Sequence, residues 1–196
     1  MPDDPSLNDA TSNDATSNDT ALLEVLSGIQ ARGAIGELSL PAAVAHAEQF
    51  VAALPAHARQ LVDLGSGGGL PGLVIAVRRP EILITLVERR RSRADLLQRA
   101  ILALKLNDHV HVVGGDVREL AADQPHSFDA VTARSFAAPA VTARWAGELL
   151  LPLGILVVSE PPQPSPDRWP GAILAASGLT DLGPFAGVRR FQKAAT

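Results

Sequence analysis

A glycine-rich segment directly after a short apolar run is the feature that most constrains the fold of this 196-residue chain. Residues 60–64 read QLVDL, and residues 65–72 read GSGGGLPG. The apolar run predicts a buried strand, and glycines directly after a strand allow a ligand to approach the backbone closely. The segment therefore indicates the first turn of a ligand-binding α/β unit.

Strand and helix patterns alternate after this segment. Strands are expected at 60–64, 82–88, 110–113, 128–132 and 154–158, and helices at 71–79, 92–106, 116–122 and 138–150. A last helix and a closing strand are expected at 172–177 and 187–192. The alternation predicts an α/β fold in which a doubly wound, mostly parallel sheet carries helices on both faces.

The chain ahead of the sheet divides into two parts. Residues 1–20 are acidic and repeat the sequence NDATS, so we predict a disordered low-complexity leader there. Residues 21–30 and 41–54 have apolar residues at helical spacing. The predicted organisation is a leader at 1–20, N-terminal helices at 21–58 and the main domain at 59–196.

Two ligand classes use a glycine-rich loop of this kind. A dinucleotide loop that starts at Gly65 needs a third glycine where Leu70 stands, so that pattern is out of register with the strand. The pattern D-x-G-x-G-x-G is complete in Asp63, Gly65, Gly67 and Gly69. It resembles motif I of class I methyltransferases that depend on S-adenosylmethionine, which have a Rossmann-like fold. A P-loop is excluded because no Lys-Ser/Thr pair follows.

Three carboxylates end three successive predicted strands. For an S-adenosylmethionine ligand, Asp63 is placed to stabilise the ammonium group and Glu88 to accept both ribose hydroxyls. Asp116 is placed to accept a hydrogen bond from the adenine amino group. NAD enzymes hold their ribose with a carboxylate in the same position, so Glu88 does not separate the two cofactors. Each carboxylate has helix capping as its structural alternative.

Several segments are similar to the RsmG/GidB family, whose members methylate guanine N7 in 16S ribosomal RNA. The loop at 64–72 resembles the GxGxGLPG loop of that family, and residues 128–137 (FDAVTARSFA) resemble its FDxVxARA segment. The likeness runs from about residue 60 to residue 158. It implies that the loop, including Ser66, Gly65 and Leu70, lines the cofactor site. It also implies that Val117 and Arg118 flank the adenine and that Arg134 lies at the reaction centre as the catalytic candidate.

The chain departs from the family in three places, of which one is around the third strand, where Asp116 and Arg118 replace an Arg and a Glu typical of the family. The helix before the first strand offers His46 alone where the family has Arg-His-x-x-x-Ser, and Ser159-Glu160 stands where the family often has Lys-Gly. These departures keep a second interpretation open, in which the protein binds S-adenosylmethionine or the ribosome without transferring a methyl group. An NAD(P)-binding oxidoreductase is the third.

Composition and charge set the remaining limits. The chain has no cysteine, which excludes disulfides, cysteine-ligated metals and thiol nucleophiles, and its five histidines form no HExxH motif. The net charge is -4, but all five acidic residues of the leader are aspartates and the rest carries 17 basic and 16 acidic residues. The net charge therefore does not exclude RNA, and the arginines at 89–93 are expected either to meet RNA phosphates or to form a solvated helix start with ion pairs. We expect a cytoplasmic protein with no membrane span, no metal and no obligate protein partner.

Overall fold

The computed structural model describes residues 6–37, 39–165 and 167–196. Within them lies one seven-stranded sheet: β1 (Gln60–Leu64), β2 (Leu83–Val87), β3 (Val110–Val113), β4 (Phe128–Ala133), β5 (Leu150–Ser159), β6 (Leu179–Phe185) and β7 (Val188–Lys193). The strand order is β3-β2-β1-β4-β5-β7-β6. Strands β1 to β5 are parallel, and β7 lies antiparallel between β5 and β6. The predicted mostly parallel α/β sheet is confirmed.

Helices cover both faces of this sheet. They are α1 (Ser6–Gln30), α2 (Leu40–Ala53), α3 (Gly72–Arg78), α4 (Arg91–Ala103), α5 (Val117–Asp123), α6 (Pro139–Leu149) and α7 (Gly171–Ala176). Residues from α1 to α4 share one apolar cluster with strand residues such as Leu61, and residues from α5 to α7 share the other with Val62. Neighbouring residues of a strand point to opposite faces, so β1 is buried on both sides, as parallel strands require.

The ordered contacts begin earlier than the predicted boundary at residue 20. Helix α1 starts at Ser6, and Asp19 already forms a 2.6 Å ion pair with Arg78. Leu22 and Leu26 anchor the helix in the core with exposures of 1% and 0%. An anchored helix extends more easily than a new one nucleates, so the low-complexity sequence continues it. The boundary predicted at residue 20 therefore falls within α1, and residues 1–5 lie outside the described part.

The C-terminal part contains one strand that the sequence analysis did not predict. Residues 179–185 form β6, which pairs with β7 as an antiparallel hairpin at the edge of the sheet. Strand β5 also begins earlier than expected, at Leu150 rather than residue 154. Across the described residues, no helix combines the length and apolarity needed to cross a membrane.

Candidate functional site

The larger of two neighbouring cavities lies at the carboxyl ends of the parallel strands and has a volume of about 600 Å³. We call it the first cavity. Its walls come from the segments that follow β1, β2, β3 and β4, including Gly65, Glu88, Asp116 and Phe136. The sheet order reverses between β1 and β4, and ligands of open α/β sheets bind at such a reversal. The first cavity is therefore the candidate binding site.

Asp63 supports the loop from below and does not line the first cavity. Its side chain is 1% exposed, and its Oδ1 accepts a 2.7 Å hydrogen bond from the hydroxyl of Thr132. Burial raises the pKa of Asp63 to about 6, against the opposing effect of the Thr132 hydrogen bond. Alternation along β1 turns the Asp63 side chain into the sheet face that α3 covers, so its contact with a ligand ammonium stays a prediction.

Glu88 faces the first cavity and also fixes the glycine-rich loop. One carboxylate oxygen, Oε2, accepts from the backbone N–H of Gly67 at 3.0 Å, and Oε1 accepts from that of Arg90 at 2.7 Å. Each oxygen keeps a lone pair for one more donor. The carboxylate is therefore held in place by the backbone, with capacity left for two hydroxyl groups of a ligand.

The glycine-rich loop contributes to the first cavity mainly through Gly65. Gly65 has a φ of +67°, and a Cβ atom there would lie 2.8 Å from Cδ2 of Phe136. Only glycine fits this position without strain. Two other predicted loop residues do not line the first cavity. Ser66 donates its hydroxyl to the Asp63 carbonyl at 2.9 Å, and Leu70 packs in the hydrophobic core. Gly67 and Gly69 shape the turn with φ values of +55° and +93°.

Asp116, Val117 and Arg118 line the first cavity where α5 begins. Asp116 is the N-cap, and its carboxylate accepts from the backbone N–H of Arg118 at 3.0 Å. This bond, and the contact with the Arg118 guanidinium, hold the pKa of Asp116 below its usual value. Asp116 thus caps α5, which was its structural alternative, and it also lies in the wall of the first cavity.

Arg134 lies behind the first cavity rather than in it. Its Nη1 is buried and has no hydrogen-bond partner in the described part of the chain. Burial lowers the pKa of Arg134, and the nearby Asp63 carboxylate opposes this shift. The Arg134 charge, after burial, lowers the pKa of His46, whose ring meets Phe50 edge-on at 5.6 Å. Arg134 and His46 are therefore half-buried groups near the buried Asp63, and the place of Arg134 at the reaction centre stays a prediction.

The basic residues divide between the two ends of the sheet. Arg89, Arg90 and Arg93 line the first cavity, together with Arg118 and Arg144. Arg78 pairs instead with Asp19 and Glu48 at 2.6 and 2.7 Å, away from the cavity. Among the described residues no group of three or more His, Cys, Asp or Glu side chains has an arrangement that would hold a metal ion.

Aromatic residues form a wall that the sequence analysis did not identify. Phe136 and Trp145 line the first cavity, and the guanidinium of Arg144 lies 4.6 Å from the Trp145 ring centroid. Residues 135–137 also line a second cavity of about 220 Å³, which Glu160 and Trp169 enclose on its other side. The one sequence signal for this wall is that Phe136 lies four residues after the end of the predicted strand at 128–132.

Comparison with known proteins adds a family and a fold. A family model described as GidB, rRNA small subunit methyltransferase G, matches residues 44–161. Proteins named ribosomal RNA small subunit methyltransferase G are similar: that of Acidiphilium cryptum is 46% identical over 107 residues, and that of Salinispora tropica 44% over 101. These alignments cover 55% and 50% of this chain. The chain covers less than half of each relative's length, at 47% and 42%.

Solved structures with low sequence identity share the fold. An O-methyltransferase family protein from Burkholderia thailandensis has a TM-score of 0.60 at 15% identity, over 79% of this chain and 56% of that one. An O-methyltransferase from Bacillus cereus, in complex with SAH, has a TM-score of 0.56 at 17% identity, over 88% and 89%. The [4+2]-cyclase SpnF has a TM-score of 0.64 at 18% identity, over 83% and 85%. A cyclase among them illustrates that this fold alone does not fix an activity.

Proposed function

Because the chain belongs to the GidB family of rRNA small subunit methyltransferases G, whose model matches more than half of it, we propose that it transfers a methyl group from S-adenosylmethionine to guanine N7 in 16S ribosomal RNA. The partner in this proposal is the small ribosomal subunit or its RNA. The protein would act in the cytoplasm.

One observation in the first cavity supports this proposal: the carboxylate of Glu88 is held in a fixed orientation. The two oxygens of Glu88 are aligned by the backbone of Gly67 and Arg90, and a ribose presents two adjacent hydroxyls to such a group. Gly65 leaves the space that a ligand needs beside the loop, because its missing Cβ would approach Phe136. These residues fit an adenosine-containing cofactor, and in this proposal Val117 and Arg118, which line the same cavity, flank its adenine.

The chemistry requires little more than positioning from the protein. When bound, S-adenosylmethionine supplies a methyl group on a positively charged sulfur. Guanine N7 has an in-plane lone pair and no proton, so no general base is needed to prepare it. The bond between N7 and the methyl carbon forms as the sulfur–carbon bond breaks, and the electron pair stays on sulfur. The task of the chain is to orient the two partners and exclude water.

The oxidoreductase alternative has weaker support. Dinucleotide-binding sheets of the classic kind are built from two similar parallel halves. Here β7 runs antiparallel between β5 and β6, so the second half does not repeat the first. The cofactor-binding relic is a separate alternative, because Ser159-Glu160 and His46 depart from the family pattern and do not line the first cavity.

Cofactor binding is tested by calorimetry with S-adenosylmethionine and, separately, with NAD and NADP. We expect binding of S-adenosylmethionine alone. Glu88→Gln should weaken it about 10-fold or more, since hydrogen bonds to a charged group contribute about 1.5–3 kcal/mol. The matched control is Glu24→Gln, an exposed glutamate of α1 that lines neither cavity. Tighter binding of NAD or NADP by the folded wild-type protein would refute the proposal.

Methyl transfer is tested with RNA from cells that lack the protein. Small ribosomal subunits and naked 16S RNA are each incubated with the protein and S-adenosylmethionine labelled in its methyl group, and the product nucleotide is identified by mass spectrometry. We expect 7-methylguanosine. Binding of the cofactor without any labelled RNA would favour the relic instead.

A further inference from the structure

The second cavity adjoins the first one, and residues 135–137 form their common wall. Its other walls come from the end of β5 and the loop before α7, with Glu160, Arg168 and Trp169 among the residues that line them. Glu160 and Trp169 do not line the first cavity. At about 220 Å³, the second cavity is roughly a third of the volume of the first. The second cavity is therefore suited to a smaller ligand that lies next to a larger ligand in the first cavity.

Glu160 is a buried acid with unused hydrogen-bonding capacity. Its side chain is 11% exposed. Its Oε1 accepts a 2.8 Å hydrogen bond from the indole N–H of Trp169 and lies 3.3 Å from Nε of Arg168. Its Oε2 is buried and has no hydrogen-bond partner among the described residues. A buried carboxylate oxygen without a donor is costly, so a donor from a ligand would be stabilised there.

We propose that the second cavity holds the target guanine and that the Glu160 carboxylate recognises its N1–H and 2-amino edge. This inference rests on the proposed function. Guanine carries both of these donors on one edge, and a carboxylate is an acceptor at both oxygens. N7 lies on the opposite edge of the base. A guanine held by Glu160 therefore directs N7 away from Glu160 and toward the first cavity, where the methyl donor binds.

The ring of Phe136 contributes a face for the base. Phe136 is half-buried and belongs to the common wall of the two cavities. RNA-modifying proteins stack an unpaired base on such aromatic rings. The Trp169 ring is already packed against Phe191, with 4.6 Å between the ring centroids, so its part is to hold Glu160 in place through the indole N–H. Trp169 is thus a positioning residue.

The test compares guanine with inosine, which keeps N1–H and lacks the 2-amino group. The substrate is 16S RNA assembled by ligation with either base at the nucleotide that mass spectrometry has identified. We expect the wild-type protein to methylate the inosine RNA with a kcat/KM about 10- to 100-fold lower, as for one lost hydrogen bond to a charged group. Glu160→Gln keeps an oxygen for Trp169 and replaces the other acceptor by a donor. It should lower kcat/KM for guanine RNA about 10- to 100-fold and bring the guanine-to-inosine ratio close to one.

Two controls separate recognition from folding and from the cofactor site. Glu160→Gln should bind S-adenosylmethionine as the wild type does and unfold at the same temperature, and Glu24→Gln should leave both RNA activities unchanged. A Glu160→Gln variant that loses activity on both RNAs equally, with the wild-type ratio kept, would overturn the inference and indicate a purely structural role. Wild-type protein that methylates both RNAs equally would overturn it while the proposed function stands. Wild-type protein that methylates neither overturns both.

Discussion

At the scale of single residues, the buried carboxyl of Asp63 makes the stability of the protein depend on pH. The folded protein holds the proton of this buried carboxyl more tightly than the unfolded chain does, because burial raises its pKa from 3.8 to about 6. The stability that Asp63 contributes is therefore complete below about pH 4 and is lost as the pH rises through 6. At neutral pH the carboxylate is charged and 1% exposed, and the half-buried Arg134, whose Nη1 is buried, is the charged group that opposes the effect of burial on it.

Replacing this carboxyl should remove that pH dependence. We expect Asp63→Asn to gain stability relative to the wild type as the pH rises from 4 to 7, by up to about 3 kcal/mol. Asparagine keeps an oxygen that accepts from Thr132. Urea unfolding at several pH values measures the difference. An equal pH-dependent gain in Asp95→Asn, which removes an exposed carboxylate of α4, would contradict the assignment to burial.

Gly65 offers a second test at the residue scale. Gly65→Ala places a Cβ 2.8 Å from the Phe136 ring at a φ of +67°. We expect a loss of about 1–3 kcal/mol in the free energy of unfolding and weaker binding of S-adenosylmethionine. Gly171→Ala is the control, because a Cβ there meets nothing within 4 Å and its φ is ordinary. Comparable losses in both variants would show that the loop geometry is not the cause.

At the scale of elements, the sequence predicts the parallel half of the sheet well and the C-terminal half poorly. The expected bounds of β1 and β3 are those of the structure, because short apolar runs followed by glycine-containing turns mark them. The sequence pattern does not predict strand β6, because Gly183 and Pro184 lie within it and both residue types are unfavourable inside strands. Both lie beside a register shift in an edge strand, where a missing backbone donor costs little.

Some site residues can likewise be predicted from the local sequence, while the positions of others depend on tertiary packing. Gly65, Glu88 and Asp116 follow strands and do line the first cavity, as their positions predict. Asp63 and Arg134 have comparable positions but point into the protein, and only the packed structure decides this. Trp145 comes from the middle of α6 and reaches the cavity through helix packing, which no short motif encodes.

Helix α1 provides the prediction at the element scale. Leu26 is 0% exposed and anchors α1 in the core that α2 and α3 share. Leu26→Ala should lower the free energy of unfolding by about 2–5 kcal/mol. Leu102→Ala, which removes a side chain that is 67% exposed on α4, should stay within about 0.5 kcal/mol of the wild type. Equal unfolding midpoints for the two variants would mean that α1 does not depend on this contact.

At the scale of the whole molecule, the net charge of -4 hides a separation of charge. A groove of about 370 Å³ is lined by Arg32, Arg90, Arg93 and Arg99, and no acidic residue is among the described residues that line it. Arg90 and Arg93 also line the first cavity. Positive charge therefore continues from the groove to the candidate binding site, while the leader concentrates five aspartates elsewhere in the chain.

This continuous positive surface should make RNA binding sensitive to salt. Under the proposed function, Arg32 and Arg99 contact phosphates, since each neutralised phosphate contributes about 0.7–0.9 to the slope of log affinity against log salt. Arg32→Gln with Arg99→Gln should reduce that slope by about 1.4–1.8 and leave S-adenosylmethionine binding unchanged, because neither residue lines the first cavity. Filter binding of 16S RNA at several salt concentrations measures it.

The control for this prediction removes the same charge at the opposite end of the sheet. Arg59 lies just before β1, and Lys105 lies between α4 and β3, so both are at the amino ends of the strands. Arg59→Gln with Lys105→Gln changes the net charge as much as the groove variant does. If RNA binding depended only on net charge, both double variants would lose the same slope. A loss confined to the groove variant would instead assign the RNA path to the face that leads into the first cavity.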